Sequence, residues 1–294
     1  MTSPSRDAVA LPPLALLLAT VPAVAGSVLL MRAAGVGPGP VVLQLAAFGL
    51  VAVLMVAPPR RPTLTAFPCW GVLVLAAALA VPVVVYDQAG PQRWLLLGGV
   101  RLYVAPVVLP VLLVALGRNG AMAGSRAACA SLAVAGSALA LLLQPDAAQL
   151  DALALSVLPV LWTASLPRAA KLAVWAAVAA CAVAAWQRPD PLLPVPHVEG
   201  VFDLATAWGP VGLPAALVAV ALPVVGLAWS AWASGSMGLL AAAVYYATVL
   251  AHAPLQITPI PWLGFGAGPL LGYGLVCLAA AGRPSPRRDT LAAG

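Results

Sequence analysis

Long stretches of Ala, Val, Leu, Gly and Pro fill the chain, and its polar residues gather in the short gaps between them. A bilayer-crossing helix needs about 20 mostly apolar residues. Runs that meet or approach this length lie at 9–31, 39–57, 66–86, 103–117, 121–143, 149–166, 169–186, 206–233, 236–252 and 262–281. The pattern predicts an all-α polytopic membrane protein of about ten transmembrane helices in one bundle. Runs 103–117 and 236–252 fall shortest of the requirement, and losing either would invert everything after it. The first run does not read as a cleavable signal, because only Arg6 precedes it and Met31-Arg32 is no small-residue cleavage site. No repeat, linker or charge run marks a soluble domain, so residues 1–294 read as one integral membrane domain with cytoplasmic tails at 1–8 and 282–294. Prolines within the runs, Pro82, Pro106, Pro110, Pro159, Pro214 and Pro223, read as kinks that bundle neighbours can re-satisfy.

Charge orients the bundle. Short cytoplasmic loops carry the Lys and Arg of a membrane protein. With the N-terminus inside, Arg6, Arg60, Arg61, Arg118, Arg126, Arg168, Lys171, Arg283, Arg287 and Arg288 fall inside, against Arg32, Arg93, Arg101 and Arg188 outside. Asp87, Asp146, Asp151, Asp190, Glu199 and Asp203 fall outside, and only Asp7 and Asp289 inside. Ten spans with both termini cytoplasmic fit this asymmetry. The formal charge of +6 is spread in ones and twos along the chain, so it reads as topology rather than a nucleic-acid surface. Composition excludes a water-soluble globule: 63% of residues are apolar and 7% charged, where soluble domains carry about 25% charged. Cys69, Cys129, Cys181 and Cys277 lie in apolar runs without CxxC or Cys/His spacing. They read as small core residues, not a disulfide or metal framework.

The outer face concentrates the polar chemistry in three segments. Arg93-Trp94, between the third and fourth runs, suits an amphiphilic anion, with guanidinium on phosphate and indole at headgroup depth; an ordinary interfacial anchor is the alternative. Gln144-Pro145-Asp146 ends the fifth run, where Asp146 equally suits the cap of the next helix. The segment from Gln187 to Asp203 is proline-rich and predicted to lie extended on the bundle. In an extended backbone His197 and Glu199 face the same way. A carboxylate near apolar surface and an imidazole can act as a general base, or can be solvated loop groups.

In order along the chain, four strings resemble the signatures of the FtsW/RodA/SpoVE family, the SEDS proteins of cell division, elongation and sporulation. They are Gly90-x-x-Arg93-Trp94-x-x-x-Gly98, Gln144-Pro145-Asp146, Leu193-Pro194-x-x-His197-x-Glu199-x-Val201-Phe202, and Pro254 followed by Ile260-Pro261-Trp262-Leu263-Gly264-Phe265-Gly266 through Leu271. The resemblance spans about residues 87 to 281 and implies ten helices with cytoplasmic ends, in the plasma (inner) membrane. It further implies a peptidoglycan glycosyltransferase that polymerises lipid II, an undecaprenyl-pyrophosphate-linked precursor, at the outer face with a class B penicillin-binding protein. Glu199 stands at the position of the proposed catalytic base. Arg93, with Trp94, His197, Asp146 and Gln144 as further substrate-binding candidates, would steady the pyrophosphate leaving group. No cofactor is called for, although a divalent cation on the phosphates would do similar work.

Departures from the family pattern are specific. Glu199 replaces its Asp, Val198 replaces its Thr, Tyr103-Val104-Ala105-Pro106 has lost its glutamate, Leu109 stands for its lysine, and residues 264–269 have lost its hydroxyls. Only Gln187 to Leu192 occupies the interval before the Leu-Pro-x-x-His motif, where the family has a long stretch. Two other readings therefore stand beside the polymerase: a catalytically silent SEDS-like scaffold or regulator, and a transporter or flippase of lipid-linked precursors. The near absence of ionisable residues in the centres of the runs weighs against the transporter. Asp203 reads as an alternative base or as the cap of the eighth run. His252 reads as interfacial or as lining the same outer cleft near Gln256. Tyr245, Tyr246 and the nine Trp fit aromatic belts and packing.

Overall fold

The computed structural model describes residues 9–56, 68–85, 92–118, 124, 126–188 and 192–281. Gly90, Arg60, Arg61, Asp87, Asp190 and both proposed cytoplasmic tails lie outside the described residues.

Each of the ten apolar runs holds a helical segment. The first is broken into α1 (Pro13–Leu18) and α2 (Val21–Ala33). Pro22 has no N–H to give to the preceding turn, and the Thr20 hydroxyl bonds the Leu17 carbonyl at 2.7 Å beside the break. Then come α3 (Pro38–Val56), α4 (Cys69–Val85), a two-stranded antiparallel hairpin β1 (Trp94–Leu97) and β2 (Val100–Tyr103), and α5 (Ala105–Leu116). They are followed by α6 (Arg126–Leu143), α7 (Ala147–Thr163), α8 (Arg168–Trp186), the short α9 (Val201–Thr206), α10 (Gly212–Ser234), α11 (Met237–Ala251) and α12 (Ala267–Ala281). Among the described residues, 6 segments suffice by length and hydropathy to cross a membrane: Pro13–Ala33, Pro38–Val56, Arg126–Leu143, Arg168–Trp186, Gly212–Ser234 and Met237–Leu255. α4, α5, α7 and α12 are apolar but shorter. Together these make a multi-pass membrane protein.

α5 is the centre, buried at every residue but Val107 and packed against α4, α7, α11 and α12. α3 and α8 bury least and turn leucines, valines and alanines outward, as rim helices against hydrocarbon do.

The hairpin corrects the all-α expectation. Gly98 and Gly99 both take positive φ, 56° and 88°, as a two-residue turn of the favoured hand requires. In the sequence most of this segment reads as the connection between the third and fourth runs, with no strands assigned to it.

The cysteines require a second correction. Cys69 and Cys129 form a disulfide, with Cα atoms 6.0 Å apart, that joins the first turn of α4 to the first turn of α6. Their sequence separation of 60 carries no spacing signal; the packing of α4 on α6 brings them together. In a free chain, closing a ring of this size is worth about 4 kcal/mol. Helices held in a bilayer have already lost part of that freedom, so Cys69→Ser is expected to cost about 2 kcal/mol. A lowered thermal midpoint in detergent, matched by reduction of the parent protein and absent from further reduction of the variant, checks this.

Candidate functional site

The predicted polar residues gather into two groups. The first locks the hairpin to the C-terminal part of α4, the end of α6 and the start of α7. Arg93 donates through Nε to the Gln144 carbonyl at 3.1 Å and through Nη2 to the Pro145 carbonyl at 2.5 Å, with Nε 3.8 Å from Asp146 Oδ2. The hydroxyl of Tyr103, at the end of β2, donates to the same Asp146 oxygen at 2.5 Å. The other Asp146 oxygen accepts the Gln149 N–H at 3.4 Å and caps α7, which satisfies one of the open amides of a helix start. The Gln144 amide donates to the Leu79 carbonyl of α4. Trp94 packs on Tyr103 with ring centroids 5.8 Å apart. Arg93 and Asp146 are 4% and 1% exposed, so this guanidinium binds backbone and carboxylate within the fold. Tyr103 was missed because, read along the sequence, it merely opens an apolar run.

The second group contains His197 and Glu199, and here the extended reading is corrected. The amides of Val198, Glu199 and Gly200 all point to the Val195 carbonyl, at 2.9, 3.0 and 3.3 Å, and so close a turn. The Glu199 carboxylate accepts the Val195 N–H at 2.8 Å, closing the turn from its other side. The prolines at 194 and 196 bracket the turn instead of stretching it.

This turn docks on the loop that follows α11. Ile260 N–H donates to the Val198 carbonyl at 3.2 Å, and Phe265 N–H to the His197 carbonyl at 2.9 Å. The His197 ring lies 6.3 Å from that of Phe265, and partial burial lowers its pKa from the ordinary 6.5, leaving it neutral at pH 7. Two of the strings picked out in the sequence, around 197–199 and 260–266, are therefore in direct contact. Gln44 of α3 holds the loop from beneath: its amide reaches the Trp262 and Gly264 carbonyls at 3.2 and 3.4 Å, and its oxygen accepts the Gly266 N–H at 3.1 Å. A lone glutamine in an otherwise apolar helix was the missed signal, since such groups are costly in a membrane unless bonded.

Gly264 is required by close approach. A Cβ there would stand 2.2 Å from the Val198 carbonyl oxygen and 2.9 Å from that of Ile260. Gly264→Ala is expected to push the turn off its loop and to cost about 1–3 kcal/mol. Raised amide exchange at Ile260 and Phe265, with a lower thermal midpoint, checks it.

Asp203 does not cap the eighth run. It lies exposed in α9, a separate short helix, and accepts the Gln256 amide at 2.5 Å. His252 is paired with Asp151, at 2.9 Å, an acid the sequence did not single out. Among the described residues no group of three or more His, Cys, Asp or Glu is set to hold a metal. An apolar cavity of about 350 Å³ lies between α2, α9 and α10, lined by Gly26, Leu30, Ala205, Trp208, Ala216 and others, and touched by the 258–266 loop at Leu263.

No family model and no curated protein matches the chain. Two solved structures do, both of the rod shape determining protein RodA of Thermus thermophilus. One is 22% identical with TM-score 0.62, covering 90% of this chain and 95% of that one. The other, an alanine mutant of the same protein, is 24% identical with TM-score 0.63, covering 90% and 96%. The fold is that of RodA across nearly the whole of both chains.

Proposed function

We propose that this chain, with its RodA fold, is a divergent SEDS-type peptidoglycan glycosyltransferase. In this reading it polymerises lipid II at the outer face of the plasma membrane, with a class B penicillin-binding protein, in cell-shape maintenance or division. The observation that carries it is the docked turn: Glu199 and His197 are held by backbone hydrogen bonds against the 258–266 loop, and both segments bear family-like strings. Glu199 would take the proton of the acceptor sugar hydroxyl as the pyrophosphate-linked donor carbon is attacked. The neutral His197 beside it adds no competing charge. The apolar cavity between α2, α9 and α10 has the lining that an isoprenoid chain needs. Arg93 would act on pyrophosphate only after exchanging some of its backbone bonds, so its part is better described as holding the hairpin.

The same details favour a second reading, a catalytically silent SEDS-like scaffold. A Glu199 carboxylate engaged with the Val195 N–H and an Arg93 enclosed by carbonyls are what a retained fold without its chemistry would keep. Polymerisation of labelled lipid II by the purified protein, alone and with class B penicillin-binding proteins of its host, separates the two. Glycan chains establish the polymerase; their absence under every pairing, with partner binding intact, establishes the scaffold.

A further inference from the structure

Just past the last residue of α11, His252 has acceptors at both ring nitrogens. Nδ1 lies 2.8 Å from the Thr248 carbonyl oxygen and Nε2 lies 2.9 Å from Asp151 Oδ2 on α7. A carbonyl oxygen only accepts, and Asp151 Oδ2 already receives the Trp186 indole N–H from α8 at 2.9 Å. A neutral imidazole has one N–H, so one of the two contacts would set lone pair against lone pair. The imidazolium satisfies both. The two side chains are 12% and 26% exposed, so the pair is shielded from water on most sides, and the Trp186 ring stacks on the imidazole with centroids 6.1 Å apart.

We propose that Asp151 holds His252 as an imidazolium, and that the pair is a proton-dependent clamp joining α7, α8 and α11 that positions the segment from 252 to 266. With both nitrogens occupied His252 is a positioning residue, not a catalytic one. The path from it is short. The His252 carbonyl accepts the Leu255 N–H at 3.0 Å and starts the 3-10 turn Ala253–Leu255. Gln256 follows in the left-handed region, φ 52°, and its amide reaches Asp203 of α9 at 2.5 Å. The Thr258 hydroxyl accepts the Gln149 amide of α7 at 3.4 Å, and Ile260 and Phe265 then hold the 197–199 turn.

Among the described residues, the charged groups at the His252 end of the elements joined by the clamp, and on α9, are these. On α7 Asp151 is in contact and Asp146 acts from farther away. At the end of α8 Arg188 gives its Nη1 to the Leu142 carbonyl at 2.8 Å, and on the far side Asp203 is bonded to Gln256. Loss of the proton leaves one N–H for two acceptors, so either the α7 contact or the Thr248 contact opens. The clamp rests on this geometry alone and stands whether or not the chain polymerises lipid II.

The test uses the full-length protein in nanodiscs with 15N-labelled histidine. The chain has 2 histidines, and His197→Gln leaves the His252 signals alone. Both His252 nitrogens are expected in the cationic state at pH 7, with amide exchange of Gln256, Ile257, Thr258 and Ile260, corrected for its intrinsic pH dependence, rising about tenfold as the ring deprotonates. Asp151→Asn is expected to weaken proton binding at His252 about tenfold and to remove the pH dependence of exchange. A neutral single tautomer at pH 7 overturns the clamp, as does an unchanged midpoint or unchanged exchange profile in Asp151→Asn. Should that variant not fold, the wild-type spectrum and exchange profile decide by themselves.

Discussion

Glu199→Gln is expected to slow lipid II polymerisation by about 10²–10⁴-fold, the range a positioned general base supplies. The substitution isolates the chemistry. Glutamine has the length of glutamate, and its carbonyl oxygen can still accept the Val195 N–H that closes the turn. The backbone bonds from Ile260 and Phe265 reach main-chain oxygens of Val198 and His197 and do not involve the residue 199 side chain. Stability is therefore expected to stay within about 0.5 kcal/mol of wild type while turnover falls. The measurement is the initial rate of glycan synthesis at saturating lipid II. A rate equal to wild type would move the base elsewhere, with Asp203, exposed on α9, the first to examine.

Asp146→Ala is expected to have the reverse profile, a loss of about 3–5 kcal/mol in stability. Asp146 is 1% exposed and faces three donors: the Tyr103 hydroxyl, the Gln149 amide and the Arg93 guanidinium. Its removal leaves a buried cation with less compensation, a buried phenol without its acceptor and a helix without its cap. Asp146→Asn keeps the size and remains a good cap, so it should recover about half the loss. Unfolding in detergent, followed by near-ultraviolet signal, checks both. A cost below about 1 kcal/mol for the alanine variant would mean that Arg93 does not depend on this carboxylate, and would return it to consideration as a phosphate ligand.

The long elements were legible because burial in lipid leaves only one economical backbone solution, a helix that satisfies its own hydrogen bonds. All ten apolar runs hold one, although four are shorter than a bilayer demands when taken alone. What the sequence obscured was every feature decided between elements. Leu95 to Val100 is as apolar as a span, and only the Gly-Gly pair shows that it is a hairpin. Cys69 and Cys129 look like isolated small residues until α4 meets α6. Asp146 was legible as a helix cap because that bond is local; its partners Arg93 and Tyr103 lie 53 and 43 positions away and were not connected to it. His197 and Glu199 were found as residues but placed on the wrong backbone, since the Val195 carbonyl that gathers three amides carries no side-chain signature. Gln44 is bonded to residues more than 200 positions away, and the Asp151–His252 pair joins positions 101 apart.

The central helix, α5, has one more effect. Its 12 residues rise about 18 Å, some 12 Å less than the hydrocarbon layer is thick. At such depth a chain end must find its partners in protein: at the start Val104 N–H is given to the Arg93 carbonyl at 3.3 Å, and at the other end Gly117 N–H returns to the Leu113 carbonyl at 2.9 Å and Arg118 N–H to that of Ala115 at 3.4 Å. The hairpin, with Leu96 and Leu97 exposed near its turn at 48% and 56%, leads directly into α5 and packs on α4 and α12. A central helix this short meets protein along almost its whole surface, so its length is set by its neighbours and not by the thickness of a bilayer.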